Sequence, residues 1–317
     1  MNQKLKQLDI EKILFWDLEC VREHETLDPN SEEYSLFEQK TRDKEKDQML
    51  SQQDVIKLYK QKGALYPTHN KIVCISMAFV HKGIINVRSI IGEQKFIVKE
   101  FCAVLNKNYI PCGYNIVGFD FPILRQKIFK EGLINLLPER FNDSNKKEWA
   151  FVEYNREVNI VDLMLYLKGT YFHNQSLAEA CYLAGIPSPK NDEITGAEVS
   201  EYYYKGKLDD IRKYCERDVV ATVNLFLKMQ GEDIIDNITY KDPLESLNGT
   251  VTESNPLFDS IKSEGSISKT NQEKITMASK TLTADERQNL VLILKSCLGN
   301  REMSVSETKF LNSIWKN

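Results

Sequence analysis

No two cysteines in this chain stand in the C-x-x-C spacing of a zinc ribbon or a dithiol redox site, and the seven present are scattered and odd in number. Neither a structural zinc nor a disulfide framework is therefore indicated. Cys20, Cys74, Cys102, Cys181 and Cys215 lie in apolar runs and read as reduced core residues, which points to a cytoplasmic setting. Histidine is also scarce: the four, His24, His69, His81 and His173, fall in no motif and read as ordinary surface or core residues. No apolar run approaches the length of a membrane span, and the N-terminal "MNQKLKQLDIEK" lacks the apolar stretch of a signal peptide. An excess of positive charge is missing too. With a net charge of −4, a nucleic-acid partner would need a local basic groove, or metals that neutralise an acidic site.

What is present describes a globular chain. Its 317 residues are 42% hydrophobic and 28% charged, enough for one large domain with an appendage or for two modest ones. Strand-like runs occur at "KILFWDLEC", "KIVCISMAFV", "IINVRSII", "YIPCGYN" and "REVNIVDLM", and helical periodicity near 93–107, 119–132, 176–184, 196–205 and 207–230. Strands come first and then alternate with helices, the order of an α/β fold with a mixed sheet covered by helices. The highly charged segment 21–70 reads as a helical insertion, either a solvated excursion or a substrate-guiding arm. Capping boxes are legible at Ser176/Glu179, Thr283/Glu286 and Ser304/Glu307. The main domain is expected over 1–236, followed by a polar Ser/Thr/Asn/Lys-rich linker or strap over 237–282. Residues 283–317 then read as a small helical hairpin, its first helix ended by Gly299, that needs a surface to dock on.

Three polar intrusions interrupt the apolar pattern. In "ILFWDLEC" the alternation of a strand puts Asp17 and Glu19 on one face with Ile13 and Phe15, and Leu14, Trp16 and Leu18 on the other. Buried carboxylates that close together are costly unless a cation joins them. In "GYNIVGFDFPIL" a strand ends at Tyr114–Asn115, Gly118 permits a tight turn, and Phe119–Asp120 opens a helix. Asp120 reads either as a helix cap or as part of a site at a strand end. In "DDIRKYCERDVVATVNLFL" the stripe Ile211, Cys215, Val219, Thr222 and Phe226 is buried, and Tyr214 and Asp218 stack four apart inside or beside it. A salt bridge from Asp218 to Arg212 or Arg217 is the plain structural account, weakened because both arginines project away from the Asp218 side. Asp17, Glu19, Asp120 and Asp218 could not all remain ionised together without compensation. Two divalent cations would supply it, and Mg²⁺ and Mn²⁺ prefer such oxygen donors. Two ions roughly 3.5–4 Å apart can activate a water and stabilise the leaving oxygen of a phosphodiester.

These motifs resemble those of the DEDD 3′–5′ exonucleases of the ribonuclease-H-like superfamily, in particular a stand-alone group related to the proofreading domain of family B DNA polymerases. "DLE" at 17–19 matches the first motif, "NIVGFD" at 115–120 the N-x-x-x-F-D second, and "YCERD" at 214–218 the Y-x-x-x-D third. The resemblance spans roughly residues 11–230. The histidine version of the third motif would need histidine where Lys213 stands, so Tyr214 places the chain with the tyrosine type.

The resemblance implies a ribonuclease-H-like α/β sheet and a nuclease releasing 5′-mononucleotides stepwise from the 3′ end of single-stranded DNA. It implies two divalent ions, Mg²⁺ or Mn²⁺. Asp17 would bridge both, Glu19 and Asp218 would complete the tightly held one, and Asp120 would hold the other largely through water. Tyr214 would orient the attacking water, while Asn115 and Phe119 would contact the 3′-terminal nucleotide. Asp162, at the end of "IVD", reads equally as a helix cap or as support for the site, and Lys190 as a phosphate contact or an ordinary surface lysine. An exoribonuclease of the same fold is one alternative, since RNA and DNA are told apart by contacts to the 2′-hydroxyl. A catalytically silent nucleic-acid-binding or polymerase-docking subunit is another, opposed by the presence of all four acids and Tyr214. Proofreading or repair in trans, with a DNA polymerase or another replication protein as partner, is the expected setting, because family B polymerases continue for hundreds of residues beyond this domain. No membrane association is expected.

Overall fold

A computed structural model describes residues 3–42, 50–142, 146–148, 151–154, 157–168, 174–190, 194–241 and, between 261 and 316, those outside 262–263, 281–286, 288–289, 292–293, 296–297 and 299–302. Its strands are β1 (Ile13–Arg22), β2 (Asn70–His81), β3 (Ile84–Ile91), β4 (Ile110–Gly113), β5 (Lys146–Glu148), β6 (Phe151–Tyr154), β7 (Glu157–Asp162) and β8 (Ile238–Lys241). They form one sheet in the order β5-β6-β7-β4-β1-β2-β3-β8. β1, β4 and β7 run parallel, β2 is antiparallel to both β1 and β3, and β8 adds parallel to β3. Helices α1 (Gln3–Gln7), α2 (Glu32–Arg42), α3 (Gln52–Lys62), α4 (Gln94–Leu105), α5 (Asp120–Lys130) and α6 (Glu139–Asn142) precede β5. After β7 come α7 (Leu163–Lys168), α8 (Leu177–Ala184), α9 (Val199–Tyr204), α10 (Leu208–Gln230), α11 (Lys269–Ser279) and α12 (Val305–Lys316). This is the α/β architecture expected, a mixed sheet flanked by helices. None of the described helices is long and apolar enough to cross a membrane.

The two faces of β1 feed two cores. Leu14, Trp16 and Leu18 join Phe101 of α4 and Phe121 of α5, and the Trp16 ring lies 4.7 Å from Phe101 and 5.0 Å from Phe121 between centroids. Ile13 and Phe15 meet α10 on the other face, where Phe15 packs edge-on against Phe226 at 5.3 Å. Asp17 and Glu19 therefore point toward α10, the side that strand alternation assigns them. The pairing of β1 with β4 ends at Phe15 and Cys112, so both acids stand beyond the carboxyl end of β4. Open α/β sheets form crevices at such ends. Beside the acids the β1–β2 register shifts between Glu19 and Cys20, whose partners are Cys74 and Ile72. The extra residue, Val73, is a bulge on β2 of the kind that redirects neighbouring side chains.

The insertion folds as α2 and α3 around Leu27, Phe37, Val55 and Tyr59. Glu33 ties it together, lying 3.1 Å from His24 Nε2 and 3.3 Å from His69 Nδ1 and accepting the Tyr59 hydroxyl at 3.2 Å. The highly charged residues 43–49 between α2 and α3 lie outside the described residues. Two elements arise inside the stretch that reads as a linker: β8, which extends the sheet, and α11. The C-terminal segment docks on this same chain. Ile261, Ile275, Leu294, Leu311 and Ile314 share one apolar cluster with Val21 of β1 and Ile211 and Cys215 of α10. The capping boxes at Ser176/Glu179 and Ser304/Glu307 are formed, whereas Thr283/Glu286 and Gly299 lie outside the described residues.

Candidate active site

β1 supplies Asp17 and Glu19 as neighbours on one face, and α10 crosses that face. α10 is a helix of 23 residues ended by Gly231 in the left-handed conformation. It buries Ile211, Cys215, Val219, Thr222 and Phe226, the stripe its periodicity marks out. Tyr214 is buried with them, one helical turn before Asp218 and within electrostatic reach of it and of Glu19 and Asp17. Arg212 is engaged elsewhere, pairing with Asp209 at 2.8 Å and Glu216 at 2.7 Å. Arg217 donates from Nε to the Pro189 carbonyl at 3.2 Å.

Asp120 arrives from the opposite edge of β1. Phe119 is the N-cap of α5 and offers no side-chain cap, while Asp120 opens the helix and is buried. The Leu18 backbone N–H, left open past the end of β4, donates to Asp120 Oδ1 at 3.2 Å. Asp120 is thus docked on the strand that carries Asp17, rather than serving as an ordinary helix cap. The turn before it is held from beneath by Asp162. That carboxylate accepts the N–H of Asn115 at 3.1 Å, of Val117 at 3.0 Å and of Leu165 at 3.2 Å. Asp162 therefore caps α7 and braces the turn at once. Asn115 itself has φ of +66°. A Cβ on Gly118 beside it would come within 2.4 Å of Asn115 Oδ1, so a larger residue there would move that amide.

The electrostatics follow from crowding acids in a poorly hydrated crevice, Asp120 buried and Asp17, Glu19 and Asp218 half-buried. Burial, then repulsion from Asp120 and Asp218, pushes the Asp17 carboxyl well above the usual carboxylate range. Glu19 is pushed up by burial and by Asp17 and Asp218. Burial raises Asp120 to about 7, against the hydrogen bond from Leu18. Asp218 also reaches about 7 through burial, with Lys190, Arg217 and the Tyr214 hydroxyl pulling the other way. The Tyr214 phenol is raised by burial and by Asp218, Glu19 and Asp17, so it stays protonated and a donor. Donor atoms of Asp17, Glu19 and Cys215 lie within 4.8 Å of one another. Cys215 is the addition that sequence reasoning treats as plain core. Its thiol donates to the carbonyl and Oδ2 of Asp17, both at 3.5 Å. Burial holds that thiol well above its ordinary range, so it orients Asp17 as a neutral donor. The only hint in the sequence was its place beside Tyr214 on the stripe facing β1. An oxygen-rich, mutually repelling donor set with a neutral thiol behind it suits a hard divalent ion.

Residues 65–260 match a family model described as "Predicted 3'-5' exonuclease related to the exonuclease domain of PolB". The chain belongs to this family. The PolB-related match contains Asn115, Phe119, Asp120, Tyr214 and Asp218, while β1 with Asp17 and Glu19 precedes it. The "Putative DNA polymerase 060R" of Frog virus 3 (isolate Goorha) is 24% identical over 155 residues, covering 44% of this chain and 15% of that protein. Among solved structures, the family B DNA polymerase of the hyperthermophilic archaeon Pyrobaculum calidifontis aligns with 92% of this chain and 30% of its own. That alignment has 15% identity and a TM-score of 0.43. The chain thus spans less than a third of the length of either relative.

Proposed function

We propose that this member of the PolB-related family is a tyrosine-type DEDD exonuclease of the stand-alone group, removing 5′-mononucleotides from the 3′ end of single-stranded DNA. The observation that carries the reading is the convergence of β1, α5 and α10 on one acidic cluster, in which burial and mutual repulsion raise the carboxyls. Asp17, Glu19, Asp120 and Asp218 would hold two divalent ions, Mg²⁺ or Mn²⁺. When bound, such ions supply an activated water and neutralise the charge on the leaving oxygen.

The chain's own residues do the rest. Cys215 fixes the Asp17 carboxylate by donating its thiol proton. Tyr214 stays protonated and positions the attacking water by its hydroxyl, one helical turn from Asp218. Asn115 and Phe119, on the turn braced by Asp162, contact the terminal nucleotide, the ring by sequence-tolerant stacking. Lys190, whose charge favours the ionised form of Asp218, is the candidate contact for a strand phosphate.

Single-turnover degradation of labelled single strands in Mg²⁺ or Mn²⁺ tests the assignment. Wild type is expected to shorten DNA from the 3′ end, and Asp17→Ala to slow cleavage by roughly 10³-fold. Undiminished cleavage by Asp17→Ala would overturn the ligand assignment, and equal rates on RNA would overturn the DNA preference. The family relation also suggests proofreading for a DNA polymerase, checked by recovery of a replication protein on co-purification.

A further inference from the structure

A cavity of about 310 Å³ opens between α9 and α10, lined by Ile194, Tyr202, Lys207, Asp210, Lys213 and Arg217. Three cations against one carboxylate give it local positive charge on a chain whose net charge is −4. Asp210, Lys213 and Arg217 recur at helical spacing and present one flank of α10. Lys213 is shared with Asp209 at 2.9 Å, which also holds Arg212. Tyr202 forms an aromatic wall, with Lys207 Nζ 4.9 Å from its ring centroid. The cavity lies on the neighbouring flank of α10 from the acidic cluster. Lys213 and Arg217 immediately precede Tyr214 and Asp218, and a Cβ on Gly196 would lie 3.8 Å from the Tyr214 hydroxyl. The segment that lines the cavity at Ile194 therefore reaches Tyr214 two residues later.

We infer that this cavity is a second nucleic-acid subsite, holding an internal phosphate of the strand whose 3′ end lies among the acids, with a base against Tyr202. The chemistry is a cationic groove beside an aromatic face, the combination that grips single strands without reading sequence. Its volume falls at the lower end of small-ligand pockets, the scale of one nucleotide unit. The inference rests on the nuclease reading and adds to it a place for the body of the strand.

The test measures binding of a short 5′-labelled oligothymidylate to the full chain in Ca²⁺, over a salt series, with cleavage in Mg²⁺ or Mn²⁺ assayed separately. The double substitution Lys207→Gln/Lys213→Gln is expected to weaken binding about tenfold. It is also expected to flatten the plot of log affinity against log salt by roughly 0.7 for each phosphate that is no longer neutralised. Lys207→Arg/Lys213→Arg is expected to bind as wild type does. Should the double variant fail to fold, Lys213→Gln alone carries the measurement, since that side chain is 55% exposed. Unchanged affinity and slope with an unmoved thermal midpoint would overturn the subsite, as would a wild type that does not bind the strand. If free thymidine 5′-monophosphate binds wild type as tightly as the strand and its binding disappears in the variant, the cavity serves released product and the proposal fails. A chain that cleaves but shows no cavity effect loses the subsite alone. One that shows the cavity effect yet cleaves nothing loses the nuclease reading alone.

Discussion

Asp162 does more for the site than its distance from the acids suggests. Three backbone donors converge on it, two of them from the turn that carries Asn115. Asp162→Ala would strand these N–H groups in a partly buried setting, and about 3 kcal/mol of stability should be lost in urea unfolding. Asp162→Asn, which keeps one acceptor oxygen, should lose less. Gly118 has a narrower duty. An added methyl would displace the Asn115 amide, so Gly118→Ala should raise KM for a single strand far more than it lowers the thermal midpoint. Equal loss in both would show that the turn, rather than the amide, had been damaged. At this scale the sequence was informative where chemistry is expensive and mute where it is cheap. Carboxylates in apolar runs announce themselves, and Asp17, Glu19, Asp120 and Asp218, which the fold brings within reach of one another, were all legible as acids out of place. Cys215 was not, because a thiol costs nothing in a core and looks the same whether or not it supports a carboxylate. Asp162 read as cap or support, and it is both.

Among the elements, α10 carries two separate polar systems on its buried side. Tyr214, Cys215 and Asp218 turn toward β1, while Glu216 turns toward β3. Ser89 Oγ donates to Glu216 Oε1 at 2.7 Å, and Arg212 Nη1 donates to both Glu216 oxygens at 2.7 and 2.8 Å. Ser76 and Ser89 hydroxyls meet at 2.8 Å behind them. Removing one member of such a buried pair leaves its partner uncompensated, so Glu216→Ala should cost about 3–5 kcal/mol on denaturant unfolding. A cost below about 1 kcal/mol would mean that water replaces the carboxylate. Helix α10, like β1 to β4, was legible because each carries its own periodicity. β8 was not, since "ITYK" is short and largely exposed and becomes a strand only by pairing with β3, about 150 residues earlier in the chain. α11 was hidden by polar composition, because the apolar partners of Ile275 come from distant segments.

For the whole molecule, the raised carboxyls set how stability follows pH. Unfolded aspartates titrate near pH 4. Asp120 and Asp218 hold their protons up to about 7 in the fold, so the native state binds more protons across that interval. Metal-free stability should therefore be greatest at the acidic end and fall as pH rises from about 4 through 7. Divalent ions, which favour the ionised carboxylates, should add stability that grows in the same direction. Thermal midpoints in EDTA and in Mn²⁺, at about pH 5 and about pH 7.5, check both slopes. An EDTA midpoint higher at the alkaline end would refute the account.

The contact between Cys215 and Asp17 closes a sequence separation of 198 residues. A chain emerging from a ribosome thus makes 198 further residues before Asp17 can meet Cys215. Long-range contacts of this kind form late, after loop closure has been overcome. On the proposed nuclease reading, cutting would then arrive in a single late step, with no partly folded precursor able to cut, and its recovery on refolding should track the slowest kinetic phase.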